Sequence, residues 1–300
     1  MTRHRSRHLS DGKLDAAARA AMVAMNIARP LRRVVSGALV AALPIAAVAL
    51  AQTGELVDRS ALRVCADPSN LPFSNQKEEG FENKIARLIG DELKLPVSYV
   101  WFPQVTGFVR NTLRAHQCDL VLGTVAGDDI VQTTNPYYYT TYVMVYRSDS
   151  GLSFTGIEDP KMASLAIGVV AGTPPADLLA RHHLMGHARP YALMVDTRYE
   201  SPTHEMIQDI VDRKVDIGLL WGPIAGYYIH HDHLPLAFVA LKNEPGAARM
   251  DYHIAMGVRV NEPEWRARIN GVIRNRHDAI VAVLRDYGVP LLDEQGRSLP

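Results

Sequence analysis

Short apolar strand patterns alternate with amphipathic helical patterns twice along this chain, and a tyrosine-rich extended stretch separates the two series. Leu62–Ala66 reads as a strand, closed by the turn residues Asp67-Pro68-Ser69-Asn70-Leu71-Pro72. Phe81, Ile85, Leu88, Ile89 and Leu93 fall three and four apart, which predicts a helix over 81–93. Val97–Trp101 reads as a second strand, and Val105–His116 as a helix with Val105, Val109 and Leu113 on one side. Asp119–Gly123 is a short apolar strand of the kind covered on both faces. This β-α-β-α-β rhythm predicts a parallel sheet flanked by helices.

The rhythm then recurs. Leu165–Val170 reads as a strand closed by Ala171-Gly172-Thr173-Pro174-Pro175, followed by a helix over Ala176–Met185. A strand near Tyr191–Val195, a helix over Ser201–Arg213 and a buried strand over Val215–Leu220 complete the series. Tyr137–Arg147 between the two series is β-rich; Tyr252–Val260 is again β-like, and Glu262–Tyr287 is helical in pattern. A chain that leaves one α/β unit through a β segment and returns through another predicts two α/β lobes joined by a two-segment β hinge. The expected division is 57–146 plus 257–300 for lobe 1 and 147–256 for lobe 2.

The first 51 residues differ from the rest. Arg3, Arg5, Arg7, Arg19, Arg29, Arg32 and Arg33 precede an uncharged run from Val34 to Leu50, and Ala49-Leu50-Ala51 offers small residues at both outer positions of a cleavage site. That order predicts a signal peptide over 1–51 and export through it. A membrane anchor is the competing reading, but the run is 17 residues long and contains Pro44, at the short end for a span. Residues 52–300 carry 24 Lys and Arg against 30 Asp and Glu, which argues against nucleic acid as a partner. They contain no further apolar run of membrane-spanning length. Cys65 and Cys118 are either bridged, as an oxidising compartment permits, or two buried thiols; geometry decides between them.

Several segments together resemble type II periplasmic binding proteins, the group that includes the amino-acid binders of ABC importers. In the first lobe these are Leu62 to Phe73, Gly80-Phe81-Glu82, Cys118 to Gly123 and Thr134 to Tyr138; in the second, Ile167 to Ala176 and Val215 to Leu220. A narrower set is similar to the quinoprotein-dehydrogenase-associated binding-protein-like family, the J-type accessory proteins of methanol oxidation gene clusters. It comprises Cys65 to Pro68, Asn70 to Asn75, Gly80 to Ala86, Trp221 to Tyr227, Met256 to Arg259 and Tyr287 to Leu291. The resemblance covers about residues 60–293.

In an amino-acid binder of this fold, an Arg just before the P-Y-Y segment clamps the ligand carboxylate and an Asp at the end of a second-lobe strand takes its ammonium group. Carried onto this chain, those positions hold Ile130 and Trp221. A desolvated zwitterion would be left unpaired, so amino-acid uptake is not expected. Candidate ligand-facing residues are Asn70, Phe73, Phe102, Gln104, Tyr137, Tyr138, Thr173 and Trp221, aromatic and amide-like groups suited to a neutral ligand or a protruding peptide segment. Pro174 and Pro175 remove two N–H donors from the helix start after Gly172-Thr173, which weakens it as an anion site. His182, His183 and His187, and His230, His231 and His233, read as solvated helix ends and loops rather than metal ligands. No nucleophile elbow, P-loop or Rossmann glycine pattern occurs, so no catalytic residue and no cofactor is expected.

The resemblance implies a non-enzymatic periplasmic accessory factor that binds a PQQ-dependent alcohol dehydrogenase of the methanol type, or its cytochrome c partner, and assists maturation or activation. The alternative is a solute-binding receptor of an ABC importer, with a permease partner and a small neutral or aromatic ligand. An enzyme on this fold, such as a dehydratase, is the least supported reading.

Overall fold

A computed structural model describes residues 59–299; the leader read over 1–51 lies outside them. The chain runs β1 (Leu62–Ala66), β2 (Ser69–Asn70), β3 (Ser74–Asn75), α1 (Phe81–Leu93), β4 (Val97–Trp101), α2 (Phe108–Asn111), β5 (Leu120–Val125), β6 (Gln132–Thr133) and β7 (Tyr138–Arg147). It continues with β8 (Ile167–Val170), α3 (Pro174–Arg181), β9 (Ala188–Tyr191), α4 (Pro202–Val211), β10 (Ile217–Trp221), α5 (Gly222–His230), β11 (Leu236–Ala240), β12 (Asp251–Val258), α6 (Pro263–Asn275) and α7 (His277–Asp286).

Ten strands form one curled sheet in the order β4-β1-β5-β12-β7-β10-β8-β9, with β6 on β12 and β11 on β7, and β2 and β3 pair with each other. Parallel pairs occupy the two ends, β4-β1-β5 and β10-β8-β9. The antiparallel strands β12 and β7 join them. Tyr138–Thr141 of β7 pairs with β12, whereas Tyr142–Tyr146 pairs with β10 and Val143–Arg147 with β11. One long strand thus belongs to both lobes, which is the β hinge expected from the tyrosine-rich stretch.

Side-chain alternation sorts the cores. Leu62, Val64, Phe81, Ile85, Leu120, Met256 and Trp265 share the first-lobe core. In the second lobe, Val143 and Val145 of β7 face α4, while Met144 faces the other side with Ile167 and Leu219. Each such buried side chain contributes about 1.5–3 kcal/mol.

Three expected elements differ most, while the helix read over Ala176–Met185 runs over Pro174–Arg181. The helix read over Val105–His116 is reduced to Phe108–Asn111, because Gly107 enters it at φ 95° and the Thr112 hydroxyl donates back to the Phe108 carbonyl. The strand read near Tyr191–Val195 lies earlier, at Ala188–Tyr191, so residues 192–200 are outside the sheet. The helix read over Glu262–Tyr287 breaks at Arg276, which ends α6 and caps α7. Helix α5 was not legible in the pattern; it packs on the Tyr287–Pro290 segment so closely that a Cβ at Gly226 would overlap the Gly288 carbonyl.

Cys65 and Cys118 form a disulfide, Cα to Cα 5.5 Å, between β1 and the entry to β5. Beside it lies a buried ion network. Arg259 Nη2 and Arg63 Nη2 each donate to Asp119 Oδ1 at 2.7 Å, Arg259 Nε donates to Glu262 Oε1 at 2.6 Å, and Arg259 Nη1 also donates to the Cys118 carbonyl. Burial would raise the Asp119 pKa, but the Arg63 and Arg259 hydrogen bonds outweigh it and hold the carboxyl below its ordinary range. Arg259→Leu leaves two buried carboxylates short of a partner and is expected to lower the unfolding free energy by about 3 kcal/mol in denaturant titration. A loss below about 1 kcal/mol would show that water replaces the guanidinium.

Candidate functional site

The hinge strands floor a cleft made of two adjoining cavities. The inner cavity, about 430 Å³, is lined by Phe73, Glu82, Tyr138, Tyr142, Trp221 and Tyr252 among others. The outer cavity, about 410 Å³, adds Asn70, Asn75, Thr197, Glu200, His204 and Tyr228. Phe73, Gln104, Val170, Leu193, Thr203, Trp221 and Ile224 border both.

Local structure fixes each wall. Phe73 follows the Leu71–Pro72 peptide in the β2–β3 turn; its carbonyl accepts from Glu82 N at 3.0 Å, and its ring meets Phe81 edge-on at 5.3 Å. Trp221 ends β10 and caps α5, opposite Tyr142 in the β10–β7 register. Tyr142 touches Trp221 at 4.9 Å and Tyr252 at 6.2 Å, and Trp221 touches Tyr252 at 5.8 Å, all edge-to-face. Three strands from different parts of the chain therefore supply one joined aromatic wall.

Asn70, Phe73, Gln104, Tyr138, Thr173 and Trp221 all border the cleft cavities. Two candidates do not. Phe102 packs beside the disulfide cluster, its ring 6.4 Å from Phe108. Tyr137 is 2% exposed in the first-lobe core. Neighbouring residues of an extended chain project to opposite sides, so of the Tyr137-Tyr138 pair only Tyr138 reaches the cleft. The Thr173 hydroxyl is already spent on the Val170 carbonyl at 2.6 Å, and the Asn70 amide donates to Gln104 Oε1 at 3.0 Å.

Sequence reading missed Glu82. It stands in the first turn of α1, whose start is set by the Asn83 side chain accepting from Gly80 N at 3.1 Å. Only 9% exposed, its carboxyl makes no hydrogen bond or ion pair among the described residues. Burial first, and the charge of Asp67 second, push its pKa up to about 8. Gly123 stands beside this carboxyl at φ 73°, a conformation that favours glycine. The Gly80-Phe81-Glu82 segment carried a family resemblance, but an acid in the first turn of a helix ordinarily reads as a solvated partner of the helix dipole.

No Lys or Arg borders either cavity among the described residues. Ile130, where an amino-acid binder's arginine is expected, is 49% exposed and lies at a separate surface depression with Arg114. Among the described residues no group of three or more His, Cys, Asp or Glu side chains is close enough to hold a metal ion; His182 pairs with Glu244 and His231 with Asp232. No helix of these residues is long and apolar enough to cross a membrane.

The segment 192–200 bridges the lobes. Thr197 Oγ1 lies 2.8 and 2.9 Å from the two oxygens of Asp67, at the end of β1. Asp67 also accepts from Ser69 N at 2.9 Å and Gln104 N at 2.6 Å, so the carboxylate is positioned before the threonine reaches it. Thr197→Val removes a hydrogen bond to a charged group, worth about 1.5–3 kcal/mol. Tryptic cleavage after the exposed Arg198 is expected to accelerate by about tenfold, followed by mass spectrometry. An unchanged rate would mean that the Thr197–Asp67 contact does not hold the segment.

A model of the bacterial extracellular solute-binding proteins, family 3, matches residues 62–282. Protein MoxJ of Paracoccus denitrificans is 28% identical over 274 residues, covering 87% of this chain and 97% of that protein. The crystal structure of the periplasmic binding protein XoxJ from Methylobacterium extorquens AM1 is 40% identical, with a TM-score of 0.67 over 78% of this chain and all of that one. MxaJ from Methlophaga aminisulfidivorans MPT is 28% identical, with a TM-score of 0.68 over 77% of this chain and all of that one. The architecture is that of a type II periplasmic binding protein.

Proposed function

The chain belongs to the bacterial extracellular solute-binding proteins, family 3, and from that premise we propose that it is a periplasmic accessory factor of a PQQ-dependent, methanol-type alcohol dehydrogenase. It is exported through its N-terminal leader and assists maturation or activation of the dehydrogenase by binding it or its cytochrome c partner, without catalysis of its own.

One observation carries this reading. The cleft keeps the walls of a solute receptor but borders no Lys or Arg among the described residues, and Trp221 stands where the resemblance puts the ammonium-binding acid. Such a cleft cannot neutralise the carboxylate of a free amino acid. The similarity to MoxJ, XoxJ and MxaJ, at 28–40% identity along nearly the whole of those chains, supports the same direction. A receptor of an ABC importer for a small neutral or aromatic ligand is the second reading, favoured by the aromatic lining of the inner cavity of about 430 Å³.

The test is affinity capture from periplasmic extract with the tagged protein as bait. Recovery of a quinoprotein dehydrogenase or its cytochrome c in stoichiometric amount is expected. Recovery of neither, together with tight binding of a small solute, would transfer the assignment to the importer.

A further inference from the structure

We infer that the inner cavity receives an organic ammonium group, held between the Glu82 carboxylate and the joined rings of Tyr142, Trp221 and Tyr252. The inference rests on the cleft being the binding site and names the chemistry it takes.

The carboxyl of Glu82 is the anomaly. It borders the cavity, is nearly excluded from bulk water, and has no donor, acceptor or cation among the described residues. Ionised, it lacks a counter-charge; protonated, its hydroxyl lacks an acceptor. Either state is costly in a folded protein, and such groups are kept where a ligand completes them. A cation completes the ionised state directly.

The rest of the cavity fits that cation. Tyr and Trp rings attract ammonium groups through the negative potential of their faces. The three rings contact one another, so a cation stands against the cluster rather than between its members. Val170, Leu193 and Ile224 supply apolar surface for methyl groups or an alkyl stem. With no basic side chain on the walls, the site discriminates against any ligand that carries a carboxylate beside its amine. The same chemistry comes from two sources, a free alkylammonium solute or a lysine side chain of a docked protein segment.

The groups facing Glu82 are Asp67 after β1, Tyr99 on β4, and Tyr137 and Tyr138 at the start of β7. Burial raises the pKa of all three tyrosines, so they stay neutral through the neutral range. The carboxylate form that binds a cation grows with pH through about 8. Cation affinity therefore rises with pH up to that point and then levels. Affinity that falls above it would mean that the protonated acid holds the ligand, and would overturn the inference. His204, stacked on Tyr228 at 5.1 Å in the outer cavity, is controlled for by His204→Gln.

The experiment is titration calorimetry of the protein with matched pairs of probes. Choline is set against neohexyl alcohol, its uncharged carbon isostere, and acetyl-lysine methylamide against acetyl-norleucine methylamide. At least one cation is expected to bind about tenfold or more tightly than its neutral twin. The pair that responds identifies the source. Glu82→Gln, which keeps the side-chain shape, is expected to abolish the preference without lowering the melting temperature, and Trp221→Leu to weaken the cation by a further measurable factor. Equal binding of cation and twin in both pairs, or a preference that survives Glu82→Gln, sinks the inference. Capture of the dehydrogenase is read separately, so this site can fail while the accessory role stands.

Discussion

Replacing Cys65 and Cys118 together by alanine is expected to lower the unfolding free energy by about 4 kcal/mol. The bridge closes a loop with a sequence separation of 53, and loop-closure entropy of that order gives the figure at room temperature. The loop holds β2, β3, α1, β4 and α2, so the unbridged chain gains freedom over most of the first lobe. The bridge also has a neighbour: the Cys118 carbonyl accepts from Arg259, whose guanidinium serves Asp119 and Glu262. Arg259→Leu in the alanine background should therefore cost less than it does in the bridged protein, because both changes loosen the entry to β5. Denaturant titration of the four proteins of that cycle reads both effects. Strict additivity, or a loss below about 1 kcal/mol for the double alanine variant, would show that packing of Phe108, Leu113 and Val121 suffices without the bridge.

The second large effect is the pH dependence contributed by Glu82. Its carboxyl binds a proton more tightly in the folded protein, with a pKa of about 8 against 4.5 for the free group. Between those values the folded state holds more protons than the unfolded chain, so stability falls as pH rises. The slope approaches about 1.4 kcal/mol per pH unit and accumulates to about 4 kcal/mol by pH 8, beyond which it flattens. Glu82→Gln lacks this slope. The stability difference between the variant and the parent should be near zero below the lower value and grow in the variant's favour up to the higher one. Asp119, held low by Arg63 and Arg259 against the pull of burial, acts below that window and cancels in the comparison. A difference that does not change with pH would mean that water reaches the carboxyl and that the cleft is open enough to solvate it.

Parts of the architecture were legible as local pattern. The helix over Phe81–Leu93 and the strand over Val97–Trp101 fall where the spacing puts them, because each buries one face against a sheet and its apolar period records that face. The tyrosine-rich stretch proved to be β7, shared by both lobes. The candidate site was legible only in part. Phe73, Gln104, Tyr138 and Trp221 reach the cleft, but Tyr142 and Tyr252 were passed over as ordinary strand residues. They meet because β10 and β12 both pair with β7, and strand register is a long-range property that no window of sequence contains.

What the sequence determined by itself was the alternation of elements, since periodicity is written residue by residue; the absence of ionic grips at Ile130 and Trp221 was what the family resemblance implied. What only the tertiary structure decided was the bridging of Cys65 to Cys118, the inward turn of Tyr137, the crossing of Thr197 to Asp67 and the isolation of Glu82. The physical reason is common to all four. Each depends on which distant segment lies opposite a side chain and on how much water is left between them, and both are set when the sheet curls and the lobes close.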